Sequence, residues 1–151
     1  MIKTLLRIWR AMPFWVHFWG ARLVRPRFRA AVAAIIFDEQ GRVLLFKHTY
    51  RKFEWGLPAG GLEHREQPRD AIVREFLEET GMEIEVERLL TAVSAREDHH
   101  ISMIYLCRIA SGEFKMSHEI SEMKYFPIRE LPAMMLTAEK ELIQWLVKEI
   151  A

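Results

Sequence analysis

Three carboxylates, those of Glu75, Glu78 and Glu79, are spaced so that a single α-helix would bring them together. At 3.6 residues per turn, positions three and four apart lie on the same helical face. A helix between Pro68 and Gly81 is indicated because proline suits a first helical position and glycine suits the residue just past the last turn. The spacing therefore predicts a cluster of negative charge near the carboxyl end of a helix.

Such a cluster destabilises a helix unless a cation binds to it. Like charges three or four residues apart cost about 0.2–0.5 kcal/mol per pair, and the negative end of the helix dipole adds to that cost. Arg74 lies four residues before Glu78 and offsets a part of the repulsion. Carboxylate oxygens are the ligands that Mg²⁺ and Mn²⁺ prefer. The acids therefore indicate either a divalent-cation site, and with it phosphate chemistry, or a solvated acidic face.

The residues around this helix carry a longer pattern that resembles the Nudix box of the Nudix hydrolase family. The matching residues are Gly60-x5-Glu66-x7-Arg74-Glu75-Phe76-x-Glu78-Glu79-x-Gly81-Met82. The chain departs from the family at Phe76, where an aliphatic residue is usual, and at His64-Arg65, where Pro-Gly is frequent. We expect the first departure to change packing and the second to change the local turn.

The resemblance implies a role for each matching side chain. The carboxylates at Glu78 and Glu79 correspond to divalent-metal ligands, and the carboxylate at Glu75 corresponds to a metal ligand or a catalytic base. Arg74 corresponds to the residue that orients these glutamates by ion pairing. Glu66 corresponds to a glutamate that supports the site from the loop before the helix.

The resemblance also implies further contributors to the site. A backbone carbonyl at Ala59 or Gly60 is expected to join a bound Mg²⁺, for which Mn²⁺ could substitute. In some relatives the general base comes from a loop outside the box. Candidates for that base in this chain are Glu97, Asp98 and Glu119, and each of them could equally be a solvated loop acid.

The activity that the resemblance implies is Mg²⁺-dependent hydrolysis of a pyrophosphate bond in a nucleoside diphosphate linked to a second group. The substrate would be a nucleoside triphosphate or an ADP-ribose-like molecule, and the loop over residues 57–60 is similar to that of ADP-sugar pyrophosphatases. Two alternatives remain open, an RNA 5′-end pyrophosphohydrolase and a non-catalytic nucleotide-binding module. Side chains that could stack a base are those of Tyr50, Phe53, Trp55 and Tyr105.

Length and composition indicate one catalytic domain with a basic arm before it. The chain has 151 residues, of which half are hydrophobic, enough to form a core. We place the arm at residues 1–28 and the Nudix domain at residues 29–151. A single cysteine, Cys107, excludes an intrachain disulfide and favours a cytoplasmic location.

The arm allows three interpretations. Residues 1–37 contain seven Lys and Arg residues and no acidic residue, and they are rich in Trp and Phe. A helical arm could pack on its own domain or on a second subunit in a homodimer. It could lie as an amphipathic anchor on an anionic membrane surface, which would make the location peripheral to a membrane, or it could bind nucleic acid through phosphates and stacking. The longest stretch without Lys or Arg, residues 11–21, is too short to span a membrane.

The remaining pattern predicts a mixed β-sheet between helices, which is the α/β/α sandwich that the family implies. Apolar runs over residues 30–37 and 43–47, separated by a turn at 38–41, predict a β-hairpin. Further strands are predicted around residues 84–86, over 101–109 and over 124–128. A final helix is predicted to begin at a Thr137 cap and to end at Ile150.

Overall fold

The computed structural model describes residues 29–95 and 100–150, together with Pro13. Its strands are β1 (Arg29–Ile36), β2 (Val43–His48), β3 (Trp55–Gly56), β4 (Ala59–Gly61), β5 (Glu83–Ala95), β6 (His100–Ser111) and β7 (Ile120–Phe126). Its helices are α1 (Pro68–Thr80), a 3₁₀ turn (Ile128–Glu130) and α2 (Thr137–Ile150). The helical arm predicted at residues 1–28 lies outside the described residues.

The strands form one mixed sheet and one antiparallel sheet. The first has the order β4-β1-β6-β5, in which β1 runs parallel to β6 and antiparallel to β4. The second has the order β3-β2-β7, and both of its pairings are antiparallel. The predicted mixed α/β architecture is confirmed, with the strands divided between two sheets.

The central strand β1 is covered on both faces, because its side chains alternate between two cores. Val32, Ala34 and Ile36 pack in a cluster that contains Ile72 and Phe76 of α1. The intervening residues of β1 pack in a second cluster, which includes buried residues of α2. A helix therefore covers each side of the strands, as the predicted sandwich requires.

The predicted hairpin between residues 30–37 and 43–47 is wrong. The turn forms, with the carboxylate of Asp38 paired to Arg42 at 2.6 Å, but β1 and β2 belong to different sheets. Only an isolated bridge between Phe37 and Val43 joins them. Both strands are buried, so each takes its partners from distant parts of the chain instead of from the other strand.

Helix α1 has the ends that its sequence predicts. Pro68 occupies the first turn, and Gly81 follows the helix at φ 71°, a left-handed conformation that glycine adopts without strain. The N–H of Gly81 donates to the carbonyl of Leu77 at 2.7 Å. On the core side, Phe76 is fully buried and its ring centroid lies 5.3 Å from that of Phe46. The departure from the family pattern at Phe76 therefore fills the core.

The other predicted elements are present with shifted bounds. β6 extends the predicted strand over residues 101–109, β7 begins at Ile120 and ends at Phe126, and α2 includes Thr137 as its first residue. Cys107 is a free, buried thiol, and burial raises its pKa to about 12. Among the described helices, none combines the length and hydropathy that crossing a membrane would need.

We predict that Phe76→Ala lowers the free energy of unfolding by about 3–5 kcal/mol, because a large, fully buried ring is lost. The matched control is Leu77→Ala on the next residue of the same helix, whose side chain is 43% exposed. Chemical denaturation of both variants measures the difference. Equal destabilisation by the two substitutions would contradict the packing of α1 described here.

Candidate metal and phosphate site

The three carboxylates of α1 lie in different environments. Glu78 is exposed, with 60% of its side chain accessible, whereas 20% of the Glu75 side chain is accessible. Glu79 is buried, at 8% exposure. Its Oε2 atom is fully buried and has no hydrogen-bond partner among the described residues. A buried carboxylate oxygen without a donor is costly, and a bound cation would satisfy it.

Arg74 organises the acids around it. Its Nε donates to Oε1 of Glu66 at 2.7 Å, and its Nη2 donates to Oε2 of the same carboxylate at 2.9 Å. Its Nη1 lies 3.0 Å from Oε1 of Glu75 and 3.1 Å from Oε2 of Glu78. The side-chain hydrogen bond from Arg74 is the main reason that the pKa of Glu66 falls to about 2. One guanidinium thus links the loop before α1 to two of its carboxylates.

Strand β4 places a backbone segment directly against Glu75. A Cβ atom built on Gly60 would lie 2.1 Å from Cδ of Glu75 and 2.6 Å from its Oε1. The neighbouring Ala59 pairs with Ala33 of β1, which fixes the strand in the sheet. Only glycine at position 60 leaves space for this glutamate, so the backbone of Ala59 and Gly60 lies beside the acidic face of α1.

The pKa of Glu79 is set mainly by burial and by neighbouring acids. The pKa of Glu79 is raised to about 8, mainly by burial and also by repulsion from Glu75 and Glu119, while Arg51 opposes these effects. Glu119 immediately precedes β7 and is exposed, and its charge is close enough to contribute to the raised pKa of Glu79. Of the three base candidates outside the box, Glu119 is therefore placed near the acids of α1, and the other two lie outside the described residues.

Within residues 29–95 and 100–150, no three His, Cys, Asp or Glu side chains lie close enough together to ligate one ion. Arg74 contributes to this arrangement, since its Nη1 pairs with both Glu75 and Glu78 and directs their carboxylates toward the guanidinium. Glu79 faces inward. The carboxylates of Glu75 and Glu78 would have to rotate about their side-chain bonds to share an ion with Glu79. The donor set, all carboxylate oxygens with one buried orphan atom, fits Mg²⁺ or Mn²⁺.

A cavity of about 220 Å³ is connected to this region through Arg51, which lines the cavity and whose charge acts on Glu79. Its lining residues are Arg51, Lys52, Phe53, Trp55, Leu136 and Glu139. Two of the aromatic side chains expected to stack a base, Phe53 and Trp55, therefore line a cavity. Tyr105 is instead buried in the core, and Tyr50 is 62% exposed.

Two polar side chains near the cavity could not be predicted from the sequence as members of a site. His48 is 2% exposed, and neither ring nitrogen has a hydrogen-bond partner in the part of the chain that the structure describes. Burial is the main reason that its pKa falls to about 4. Glu139 accepts a hydrogen bond from the N–H of Leu57 at 2.7 Å, and burial raises its pKa. A Cβ on Gly56 would lie 3.6 Å from Nε2 of His48 and 3.3 Å from Oε2 of Glu139. The glycine therefore separates an imidazole from a carboxyl group.

Comparisons with known proteins match most of the chain. A family model described as the NUDIX domain matches residues 27–146. An ADP-ribose pyrophosphatase of Methanocaldococcus jannaschii is 31% identical over 111 residues, covering 70% of this chain and 66% of the relative. The chain spans about two thirds or less of the length of three curated relatives that it matches.

Solved structures share the fold. The crystal structure of an ADP-ribose pyrophosphatase from Streptococcus suis superimposes with a TM-score of 0.68 at 26% identity, covering 84% of this chain and 94% of that chain. The crystal structure of a UDP-X diphosphatase gives a TM-score of 0.71 at 23% identity, covering 89% of this chain and 72% of that chain. At that identity the second likeness shows the fold alone.

We predict that Gly60→Ala weakens Mn²⁺ binding by about 10–100-fold, because the added methyl group displaces Glu75, and errors in the support of metal ligands typically cost this much. Gly61→Ala is the matched control, since a Cβ there meets nothing within 4 Å. Titration of each variant with Mn²⁺, followed by electron paramagnetic resonance, measures the affinities. Unchanged Mn²⁺ affinity in Gly60→Ala would show that the position of Glu75 is irrelevant to the ion.

Proposed function

We propose, because this chain belongs to the Nudix hydrolase family, that it is an enzyme that hydrolyses a pyrophosphate bond in a nucleoside diphosphate linked to a second group. The observation that carries the proposal is the buried, unpartnered carboxylate oxygen of Glu79 beside the charge of Glu75 and Glu119. A helix that needed only stability would not keep this arrangement. A substrate with several negative charges and a divalent cation would balance it.

The residues proposed to hold Mg²⁺ are Glu75, Glu78 and Glu79, with a backbone carbonyl of Ala59 or Gly60. A bound Mg²⁺ ion would neutralise pyrophosphate oxygens and lower the pKa of a water molecule. The donor chemistry supports the choice of ion, because every side-chain ligand is a carboxylate.

The other catalytic roles belong to groups around these ligands. A base must take the proton of the attacking water, and the candidates among the described residues are Glu75 and Glu119. The exposed carboxylate of Glu119 is close enough to Glu79 to raise its pKa, which supports a place for it at the reacting water. Arg74 and Glu66 act by position, since their two-point ion pair holds the loop before α1 against the helix.

ADP-ribose is the substrate that we propose first, with nucleoside triphosphates second. Two of the similar proteins are named as ADP-ribose pyrophosphatases, and the loop over residues 57–60 resembles that of ADP-sugar pyrophosphatases. The cavity beside the acids, with its aromatic wall, offers room for part of such a molecule.

We propose a cytoplasmic location for the enzyme. The contacts proposed for residues 1–28, with a second subunit, a membrane surface or nucleic acid, concern residues outside the described part of the chain, and they stay predictions.

We predict that Glu79→Gln lowers kcat/KM for ADP-ribose by at least about 100-fold at limiting Mg²⁺, because the substitution keeps the shape of the side chain and removes the ligand charge. The matched control is Glu130→Gln, which removes an exposed carboxylate outside the acidic cluster. Assays that measure AMP release over a series of Mg²⁺ concentrations give the comparison.

A Glu79→Gln variant as fast as the parent at limiting Mg²⁺ would overturn the metal assignment. A parent protein that hydrolyses neither ADP-ribose nor any nucleoside triphosphate with Mg²⁺ or Mn²⁺ would overturn the proposed function itself.

A further inference from the structure

Arg51 lies at the tip of the loop that joins β2 to β3, and this loop is held at both ends. The N–H of His48 donates to the carbonyl of Glu54 at 2.6 Å, which closes the base of the loop. The N–H of Thr49 donates to the carbonyl of Glu119 at 2.9 Å. These bonds tie the loop to the segment that carries Glu119, so Arg51 is presented next to the acidic region.

Arg51 belongs to the cavity wall, and its charge also reaches the acids of α1. It lines the cavity together with Glu139. Its charge also acts on Glu79 and on His48, although burial is the main influence on the pKa of both groups. One cation therefore contributes both to the cavity wall and to the electrostatic environment of a proposed metal ligand.

The hydrogen-bonding capacity of Arg51 is largely unused within the described part of the chain. No carboxylate there lies within 4.0 Å of its guanidinium. Its polar contact is with the hydroxyl of Tyr50, at 3.4 Å from Nη2, and its Cζ atom lies 5.5 Å from the centre of the Tyr50 ring. A distance of 3.4 Å exceeds that of a good hydrogen bond, so most of the five guanidinium donors remain available to an anion.

We propose that Arg51 binds the substrate phosphate on the cavity side of the scissile bond and thereby directs the nucleoside attached to that phosphate into the cavity. The inference rests on the proposed function, because it takes the substrate to be a linked pair of phosphates. One phosphate then lies at the acids of α1 and the other lies at Arg51. A planar guanidinium suits this role, since it binds two phosphate oxygens at once.

The walls of the cavity suit the nucleoside half of such a substrate. Phe53 and Trp55 provide aromatic surface, and Leu136 provides apolar surface. The Trp55 ring is fixed edge-on against Phe126, with centroids 4.8 Å apart. Lys52 adds a second cation at the same lining. Aromatic walls beside two cations match a base joined to a phosphate.

The test compares Arg51→Ala and Arg51→Lys with Arg129→Ala, which removes an exposed arginine from the 3₁₀ turn. For Arg51→Ala we expect KM for ADP-ribose to rise by roughly tenfold or more, with a smaller change in kcat, because charge-assisted hydrogen bonds are lost. Arg51→Lys should recover a part of the loss, since it keeps the charge without the planar pair of donors. Arg129→Ala should match the parent.

A second readout does not depend on turnover. Isothermal titration with AMP in the presence of Mg²⁺ should show affinity reduced by roughly tenfold or more in Arg51→Ala and unchanged in Arg129→Ala. Parental KM and parental AMP affinity in Arg51→Ala would overturn the inference. If the parent hydrolyses no nucleotide, the proposed function fails, and the AMP titration still decides whether Arg51 binds a nucleoside phosphate.

Discussion

The mutual repulsion of three carboxylates on one turn of α1 is the constraint on which the site depends. Two features of the structure limit this repulsion, ion pairing for two of the acids and burial for the third. Arg74 pairs with Glu75 and Glu78, whereas Glu79 is buried and its pKa rises to about 8. Within the described part of the chain, one oxygen of the buried Glu79 carboxylate is left with no donor. That single atom is the observation that supports the proposed cation.

The fold serves the site by bringing distant segments to α1. The box loop and helix are adjacent in sequence, but β4 packs Gly60 against Glu75 only because it pairs with β1 of the mixed sheet. The segment that carries Glu119 and the loop that carries Arg51 are joined by a backbone hydrogen bond. The acids, Arg51 and the cavity are therefore held by sheet pairing and loop bonds. The proposed binding of a linked pair of phosphates would need groups fixed in this way.

Local signals in the sequence predicted the helix and its charged face, because Pro68 and Gly81 define its ends and helical periodicity fixes the positions of Glu75, Glu78 and Glu79. The hairpin prediction was wrong for the opposite reason: turn residues act locally, whereas burial on both faces sends β1 and β2 to partners far away in sequence. The place of Glu139 at the cavity could not be predicted, since an acid in the first turn of a helix is common. The placement of Arg51 at the cavity and within reach of Glu79 depends on tertiary contacts, which residue spacing in the sequence does not predict.

The most direct measurement is the anomalous scattering of manganese in crystals grown with Mn²⁺. We expect a peak within bonding distance of the Glu79 carboxylate, with the carboxylates of Glu75 and Glu78 rotated toward it and a backbone carbonyl of Ala59 or Gly60 beside it. A map with no peak among these glutamates, at Mn²⁺ concentrations that support hydrolysis of ADP-ribose, would contradict the account.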